Sequence, residues 1–267
     1  QVYAAVLVAI FAFQRRFIFL PGTHVAYPRA LGGDMQLIQF PVAPGHDEKL
    51  AAVYFPARTA DATVLVYFHG NADQLGYGPA FFGNEFRDKH GLGFFAVEYP
   101  GYGLAKPGTP TEQSINDGAE VLLRHLRDEL GVPSSRVVLF GHSLGCAVAV
   151  EMARRELGSR LVLLSPFTSI VDMATTAFPF LRPLRWLLHV LVRDPFDNVA
   201  KAPSLTQPAL VVHGCEDGVV PCRMGEEVAH RIKGARFVSV AGMGHNDALE
   251  RPEVIREIAE FAKRPGA

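Results

Sequence analysis

Three residues stand in surroundings that suit nucleophilic catalysis. Ser143 is the centre of a Gly-His-Ser-Leu-Gly sequence, Asp217 ends a His-Gly-Cys-Glu-Asp sequence, and His245 ends a Gly-Met-Gly-His sequence. A neutral imidazole can take the proton of a serine hydroxyl while a carboxylate holds the ring in the working tautomer. The three residues therefore predict acyl transfer to water, with Ser143 as nucleophile, His245 as base and Asp217 as the acid that orients it.

This chemistry also needs N–H groups that stabilise the negative charge of a tetrahedral intermediate. A glycine-containing turn, His-Gly-Asn-Ala at residues 69–72, follows an apolar run, and a predicted helix begins directly after Ser143. We assign the two oxyanion-hole donors to the N–H groups of Asn71 and Leu144. Ala72 is the alternative to Asn71.

Other residues of the same types have to be weighed against these. Glu98 and Asp247 are the rival acids: Glu98 precedes a Tyr-Pro-Gly-Tyr-Gly turn, and Asp247 lies only two residues after His245. Ser143 alone is also compatible with an ordinary helix cap. The order Ser, Asp, His, with each residue just past a predicted strand, favours the catalytic interpretation. We expect structural roles for the remaining histidines near these motifs, His69, His142 and His213.

The elements that must position these residues follow from alternating patterns. Apolar runs, typical of strands buried on both faces, occur at 62–68, 94–99, 137–140, 161–164, 209–213 and 237–240, with helical patterns at 112–130, 143–157, 222–232 and 252–263. Two further runs, 35–40 and 50–55, predict an antiparallel pair. The fold class is therefore α/β, a mostly parallel sheet flanked by helices, with the candidate residues at the carboxyl edge.

Residues 167–200 break this alternation and predict a short helical cap. Within the cap, residues 184–192 are apolar on nearly every helical face, so this helix must meet a second apolar surface. The candidates are an acyl chain, a bilayer or another subunit, and a cap that merely completes the core is the alternative. We expect Phe178 and Trp186 to bind the substrate, and three flanking arginines to suit lipid headgroups, namely Arg182, Arg185 and Arg193.

Composition narrows the class of protein and partner. The 267 residues are 49% hydrophobic, which suits one large domain. The 26 Lys and Arg nearly balance the 27 Asp and Glu, and no basic run is long enough to follow a nucleic-acid backbone. We expect Cys146, Cys215 and Cys222 to be free thiols, with a Cys215–Cys222 bridge as the alternative. No His-Glu-x-x-His sequence occurs, and the chemistry needs neither a metal nor an organic cofactor.

The N-terminal part differs from the rest of the chain. We expect residues 1–20 to form a separate apolar segment ahead of a catalytic domain at 21–267. Residues 2–13 are uninterruptedly apolar but too few to span a bilayer, which takes about 20 residues. They predict the end of a membrane anchor, with a packing helix or a signal-peptide remnant as alternatives. Arg15 and Arg16 then favour a cytoplasmic catalytic domain.

Taken together, these motifs resemble the membrane-anchored α/β-hydrolase-domain serine hydrolases, whose eukaryotic members include lysophospholipases and protein depalmitoylases. The matching stretches are 14–21, 68–72, 98–103, 141–145, 165–169, 213–217 and 244–247. The resemblance implies an α/β-hydrolase fold and hydrolysis of lipid-like esters or thioesters. Leu-Ala-Lys at 104–106 departs from the family, which typically has Ser after Gly-Tyr-Gly. The cysteine-rich tract of the depalmitoylases does not occur in these residues, so their activity is not implied.

Two other functions stay open at this point. A peptidase or amidase on the same fold usually carries a propeller or another gating domain, which these 267 residues do not contain. A non-catalytic ligand receptor or scaffold usually loses one of the three reactive residues, and all three are present here.

Overall fold

The structure, a computed structural model, describes residues 11–22, 24–25, 34–43 and 45–264. In these residues eight strands form one sheet in the order β1-β2-β4-β3-β5-β6-β7-β8. The strands are β1 (Gln36–Pro41), β2 (Lys49–Phe55), β3 (Val64–Phe68), β4 (Gly93–Glu98), β5 (Val137–His142), β6 (Arg160–Leu164), β7 (Ala209–Gly214) and β8 (Arg236–Val240). Strands β3 to β8 are parallel to one another, and β1 and β2 form the antiparallel pair that the sequence predicts.

Helices cover both faces of this sheet. The described part of α1 covers residues 11–18. It is followed by α2 (Gly78–His90), α3 (Glu112–Asp128), α4 (Leu144–Arg154), α5 (Ile170–Ala177), α6 (Arg185–Leu191), α7 (Asn198–Lys201), α8 (Cys222–Arg231) and α9 (Pro252–Lys263). Side chains of α3, α4 and α8 join the core on one face, and those of α2 and α9 join the core on the other. Both faces of the central strands are therefore buried, which explains their near-continuous apolar sequences.

Local sequence explains where α3 begins. Thr111 accepts a hydrogen bond from the Ser114 N–H, and the Ser114 side chain accepts one from the Thr111 N–H, so α3 starts with a capping box.

Helix α2 was not predicted from the sequence. It contains Gly83, where a Cβ would lie 2.6 Å from the ring of Phe55. This close packing against β2 requires a glycine that also weakens the helical pattern.

The cap predicted at 167–200 contains α5, a 3-10 turn (Pro179–Leu184), α6 and α7. Its two ends are bonded to each other: the Ile170 N–H donates to the Pro195 carbonyl over 2.9 Å, and the Asn198 N–H donates to the Thr168 carbonyl over 2.9 Å. Helix α6 buries Leu188, but Trp186 is 69% exposed and Val190 is 76% exposed. The described residues thus cover only one face of this apolar helix.

Residues 1–10, on which most of the predicted membrane anchor falls, lie outside the described residues. No helix within the described part of the chain combines the length and the apolar character that crossing a membrane requires.

Candidate active site

Ser143 occupies a strained turn between β5 and α4. Its φ is 52° and its ψ is −115°, a conformation that non-glycine residues rarely adopt. The turn is possible only because its neighbours are small. A Cβ on Gly141 would overlap the Gly145 carbonyl, and a Cβ on Gly145 would overlap the Phe68 carbonyl of β3. The turn therefore holds the Ser143 side chain above the carboxyl edge of the sheet.

Two hydrogen bonds connect Ser143, His245 and Asp217. The Ser143 Oγ lies 3.0 Å from the His245 Nε2, and the His245 Nδ1 lies 2.7 Å from the Asp217 Oδ2. A carboxylate can only accept, so Nδ1 carries the proton and Nε2 is free to accept the serine proton. The structure thus brings together the three residues that the sequence singles out, from loops that follow β5, β7 and β8.

Asp217 is held as a carboxylate by its surroundings. Its Oδ1 accepts the N–H groups of Val219 and Val220 over 2.9 and 2.8 Å. Burial by itself raises the pKa of Asp217, but hydrogen bonds from His213, His245 and the Val220 N–H outweigh burial and hold this pKa well below its usual range. The acid therefore stays charged, and a carboxylate in this position can stabilise an imidazolium on His245.

The two rival acids are engaged elsewhere. Glu98 is buried, and its Oε1 lies 3.0 Å from the His69 Nε2 while its Oε2 accepts the Leu75 N–H over 3.1 Å. The Asp247 Oδ1 accepts the Gly244 N–H over 2.8 Å, and this bond shapes the loop that carries His245. Neither carboxylate replaces Asp217 at the Nδ1 of His245.

The neighbouring histidines contact the site without reaching Ser143 as a base would. The His142 Nε2 donates to the His245 carbonyl over 3.1 Å. Burial, followed by repulsion from His245, lowers the pKa of His142 to about 4, so this ring is neutral at physiological pH. His69 and His213 are fully buried, in keeping with their predicted structural roles.

The turn at 69–72 lies directly against the serine. A Cβ on Gly70 would be 3.6 Å from the Ser143 Cβ and 3.2 Å from the His142 Nδ1. The alternative oxyanion donor, the Ala72 N–H, already donates to the Asn71 Oδ1 over 3.1 Å. Asn71 and Leu144 line the same cavity as Ser143. This arrangement favours Asn71 over Ala72 as the partner of Leu144.

An apolar cavity of about 300 Å³ opens beside Ser143. Part of its wall comes from the cap, including Met173, Ala177 and the predicted substrate-binding residue Phe178. Phe17 and Ile18, from the last turn of α1, supply another part, which the sequence pattern did not indicate. Trp186, the second predicted substrate-binding residue, lies outside this cavity because α6 directs only Leu188 inward.

Two further cavities differ in character. One of about 340 Å³ adjoins the turn at residues 69–72, which we call the oxyanion turn, and is lined by Asn71, Asp73, His142 and Asn246 among others. The other, about 780 Å³, lies between the cap and α8, is rich in charged residues and does not include Ser143. Within the described ranges, no group of three or more His, Cys, Asp or Glu side chains could hold a metal ion. Cys146, Cys215 and Cys222 are free thiols, as predicted.

Comparison with known proteins places this arrangement in a family. The model of the alpha/beta hydrolase family matches residues 64–202, and a model described as TAP-like protein matches residues 189–261. An uncharacterized protein of Mycobacterium tuberculosis is 38% identical over 161 residues, 59% of this chain and 55% of the relative. Human alpha/beta hydrolase domain-containing protein 17B is 30% identical over 207 residues, 75% of this chain and 66% of the relative. The chain thus spans about half to two thirds of the length of these relatives.

Among solved structures, the Est1E protein of Butyrivibrio proteoclasticus with bound ferulic acid has a TM-score of 0.65 at 19% identity, covering 80% of this chain and 94% of that one. At this identity the likeness concerns the fold. The eight-stranded, mostly parallel sheet and the family match agree. The chain belongs to the alpha/beta hydrolase family.

Proposed function

We propose that the protein is a serine hydrolase that cleaves carboxylic esters or thioesters with a hydrophobic acyl group. The observation that carries this proposal is the hydrogen-bonded series Asp217–His245–Ser143 at the mouth of an apolar cavity. Esters and thioesters suit the array because their leaving groups depart more readily than the amine of an amide. The same array also serves amidases, which the assay below separates.

In the proposed reaction the His245 Nε2 takes the Ser143 proton as Oγ attacks the carbonyl carbon. The N–H groups of Asn71 and Leu144 bind the oxygen that becomes negative. His245 then returns the proton to the leaving alcohol or thiol, and an acyl-serine remains. Water, activated by His245, releases the acid and restores Ser143. Asp217 stays ionised throughout and stabilises the charged imidazole.

The two cavities beside Asn71 indicate where the acyl chain and the leaving group of the substrate would bind. The apolar cavity of about 300 Å³ suits the acyl chain. The cavity of about 340 Å³ contains the carboxylate of Asp73 and the amide of Asn246, which suit a leaving group with hydroxyl or amine donors. The proposed substrate is therefore an ester between an apolar acid and a polar alcohol or thiol.

A lipid surface is the proposed partner of α1 and the cap, the two elements that contribute Phe17 and Phe178 to the apolar cavity. Large apolar side chains are exposed on these two elements: Phe11, Phe13, Phe17, Phe178, Phe180, Trp186 and Val190. Arg16 lies over the ring of Phe13 and Arg193 over the ring of Phe11. Aromatic side chains beside arginines are typical of surfaces that bind anionic membranes.

Labelling by a fluorophosphonate probe tests the hydrolase proposal, with Ser143→Ala as the control. Wild-type protein should be labelled and Ser143→Ala should not. With p-nitrophenyl esters, each methylene that enters the cavity should raise kcat/KM about fourfold, from about 0.8 kcal/mol per buried methylene, until the cavity is filled. A protein that resists the probe, or that cleaves anilides faster than esters, would contradict the proposal.

Flotation with anionic liposomes tests the lipid surface. The variant Phe180→Ser/Trp186→Ser should bind more weakly than wild type. The matched control is Leu37→Ser/Val121→Ser, which removes exposed apolar side chains from other parts of the surface. Equal binding by both variants would contradict this docking surface.

A further inference from the structure

Residues 14–20, which we call the strap, connect the cap to the oxyanion turn. At the cap end, the buried Gln14 side chain donates through Nε2 to the Leu191 carbonyl over 3.2 Å and accepts the Arg193 N–H through Oε1 over 2.7 Å. The Arg15 Nε donates to Asp194, whose carboxylate is almost fully buried, over 2.9 Å. The strap and the segment after α6 therefore form one bonded unit.

At its other end the strap is bonded to Asn71. The Asn71 Nδ2 donates to the Ile18 carbonyl over 2.6 Å, and the Asn71 Oδ1 accepts the Leu20 N–H over 2.9 Å. The hydroxyl of the fully buried Tyr102 donates to the same Oδ1 over 2.7 Å and accepts the Leu20 N–H over 3.1 Å. The side chain of Asn71 thus fastens the strap, while its main-chain N–H is the proposed oxyanion donor.

Between these two attachments the side chains of the strap lie in two different environments. Phe17 and Ile18 line the apolar cavity beside Ser143, which we call the acyl cavity. Phe19 is only 3% exposed, and its ring lies edge-on to Phe196, with 6.0 Å between the ring centres. A wall that is bonded at both ends and anchored by a buried ring keeps a defined position.

We propose that the strap is the specificity-determining wall of the acyl cavity, and that Tyr102 and the Asn71 side chain are positioning groups that couple this wall to the oxyanion turn. The inference rests on the proposed function. It assigns separate effects to the two attachments. The cap attachment sets the position of Phe17 and Ile18, and therefore KM and the preferred acyl length. The Asn71 attachment sets the direction of the oxyanion donor, and therefore kcat on every ester.

The cap attachment is tested with Gln14→Ala against Gln207→Ala, a matched control whose side-chain amide likewise donates to a main-chain carbonyl, that of Ala153, but does not line the acyl cavity. We expect Gln14→Ala to lower the ratio of kcat/KM for decanoyl over acetyl esters by about fivefold or more, since two to three buried methylenes correspond to a larger factor than this. Gln207→Ala should keep the wild-type ratio.

Ile18→Phe tests the same wall without breaking a hydrogen bond, which keeps the inference open to refutation if Gln14→Ala fails to fold. Filling the cavity from the strap side should shorten the best acyl chain by about two methylenes or more. An unchanged chain-length profile in Ile18→Phe, together with a Gln14→Ala ratio equal to that of Gln207→Ala, would overturn the inference.

The Asn71 attachment is tested with Tyr102→Phe, which removes one hydroxyl from the buried cluster. We expect kcat to fall about tenfold on acetyl and decanoyl esters alike, with little change in KM, because a small displacement of a catalytic donor slows the chemical step. A purely structural role would lower the melting temperature and leave kcat unchanged, and that result would refute the coupling.

These results are separable from failure of the proposed function. If wild-type protein hydrolyses no ester and resists the fluorophosphonate, the proposed function fails. Calorimetric binding of decanoate then still tests the wall: weaker binding by Ile18→Phe and Gln14→Ala than by Gln207→Ala supports it, and equal binding by all three excludes it.

Discussion

Replacing Asp217 by asparagine should inactivate the protein through the orientation of one amide group. The Asp217 Oδ1 accepts two main-chain N–H groups, from Val219 and Val220. In Asp217→Asn the amide oxygen must keep that place, because turning the group would set its NH₂ against both donors. The NH₂ then faces the His245 Nδ1, which has to accept rather than donate. The ring proton moves to Nε2, where it points at Ser143.

The size of the effect follows from these contacts. The variant loses a charge-assisted hydrogen bond at 2.7 Å, worth about 2–3 kcal/mol, and must also return to the disfavoured tautomer before it can act. Together these terms amount to about 5 kcal/mol, or a fall in kcat of about 10³- to 10⁴-fold. Asp217→Ala should be the milder variant, since it removes the acceptor without introducing a donor against Nδ1.

Steady-state hydrolysis of a p-nitrophenyl ester measures this loss, with circular dichroism and thermal melting to establish folding. Asp247→Asn is the matched control, because its amide oxygen can still accept the Gly244 N–H, and it should lose no more than about threefold. The reasoning is refuted if folded Asp217→Asn retains more than a thirtieth of the wild-type kcat, or if it is more active than Asp217→Ala.

Three further predictions concern the turn, the pH dependence and the stability of the domain. Gly145→Ala should yield little folded protein, because its Cβ would overlap the Phe68 carbonyl, whereas Gly218→Ala, with open space around the new methyl group, should express and melt normally. Because the pKa of Asp217 is held well below its usual range, this acid should add no inflection to the pH profile of activity near about pH 4, where a free carboxyl titrates; a carboxylate inflection there would argue against Asp217 as the orienting acid. Burial by itself raises the pKa of Glu151, but hydrogen bonds from Arg154 and Arg155 and the charge of Lys201 lower this pKa to about 2. The ionised carboxylate therefore stabilises the fold fully above the unfolded pKa of about 4.5, and this stabilisation is lost as the pH falls toward 2. Urea unfolding should show Glu151→Gln to be about 2 kcal/mol less stable than wild type at pH 7, with the difference shrinking below pH 4, and an equal difference at pH 7 and pH 3 would refute that assignment.

The positions of the catalytic candidates could be predicted from the sequence because parallel strands are recognisable locally. Buried runs before Asn71, Ser143, Asp217 and His245 indicate strands, and their carboxyl ends meet at one edge whatever the exact strand order. The distances between side chains could not be predicted, but the order of the motifs restricted the acid to few positions. In the structure Glu98 is hydrogen-bonded to His69, and Asp217 is hydrogen-bonded to His245.

The walls of the acyl cavity could not be predicted in the same way. The Gln14 side chain bonds to residues 177 and 179 positions away, and Asn71 bonds to Ile18 across 53 positions, so no local pattern announces either contact. Helix α6 shows a second limit of local patterns. Its apolar residues predict contact between Trp186 and the acyl chain, but in the structure Leu188 is the buried residue of α6 and Trp186 does not line the cavity. Periodicity does not tell which apolar face a short helix turns inward.

Because its two ends are hydrogen-bonded to each other, the cap is a segment that can be replaced as a unit. The chain enters the cap near Thr168 and Ile170 and leaves it near Pro195 and Asn198, and direct hydrogen bonds join these two ends. Insertions or replacements between these points should therefore leave the strands of the sheet in place. Such a segment can diversify among paralogues faster than the body of the domain. A grafted cap would still need acceptors and donors for Gln14 and Arg15. Lineages that exchange the cap should therefore exchange these two residues with it, and chimeras that combine a foreign cap with the resident N-terminal helix should fold but lose chain-length discrimination.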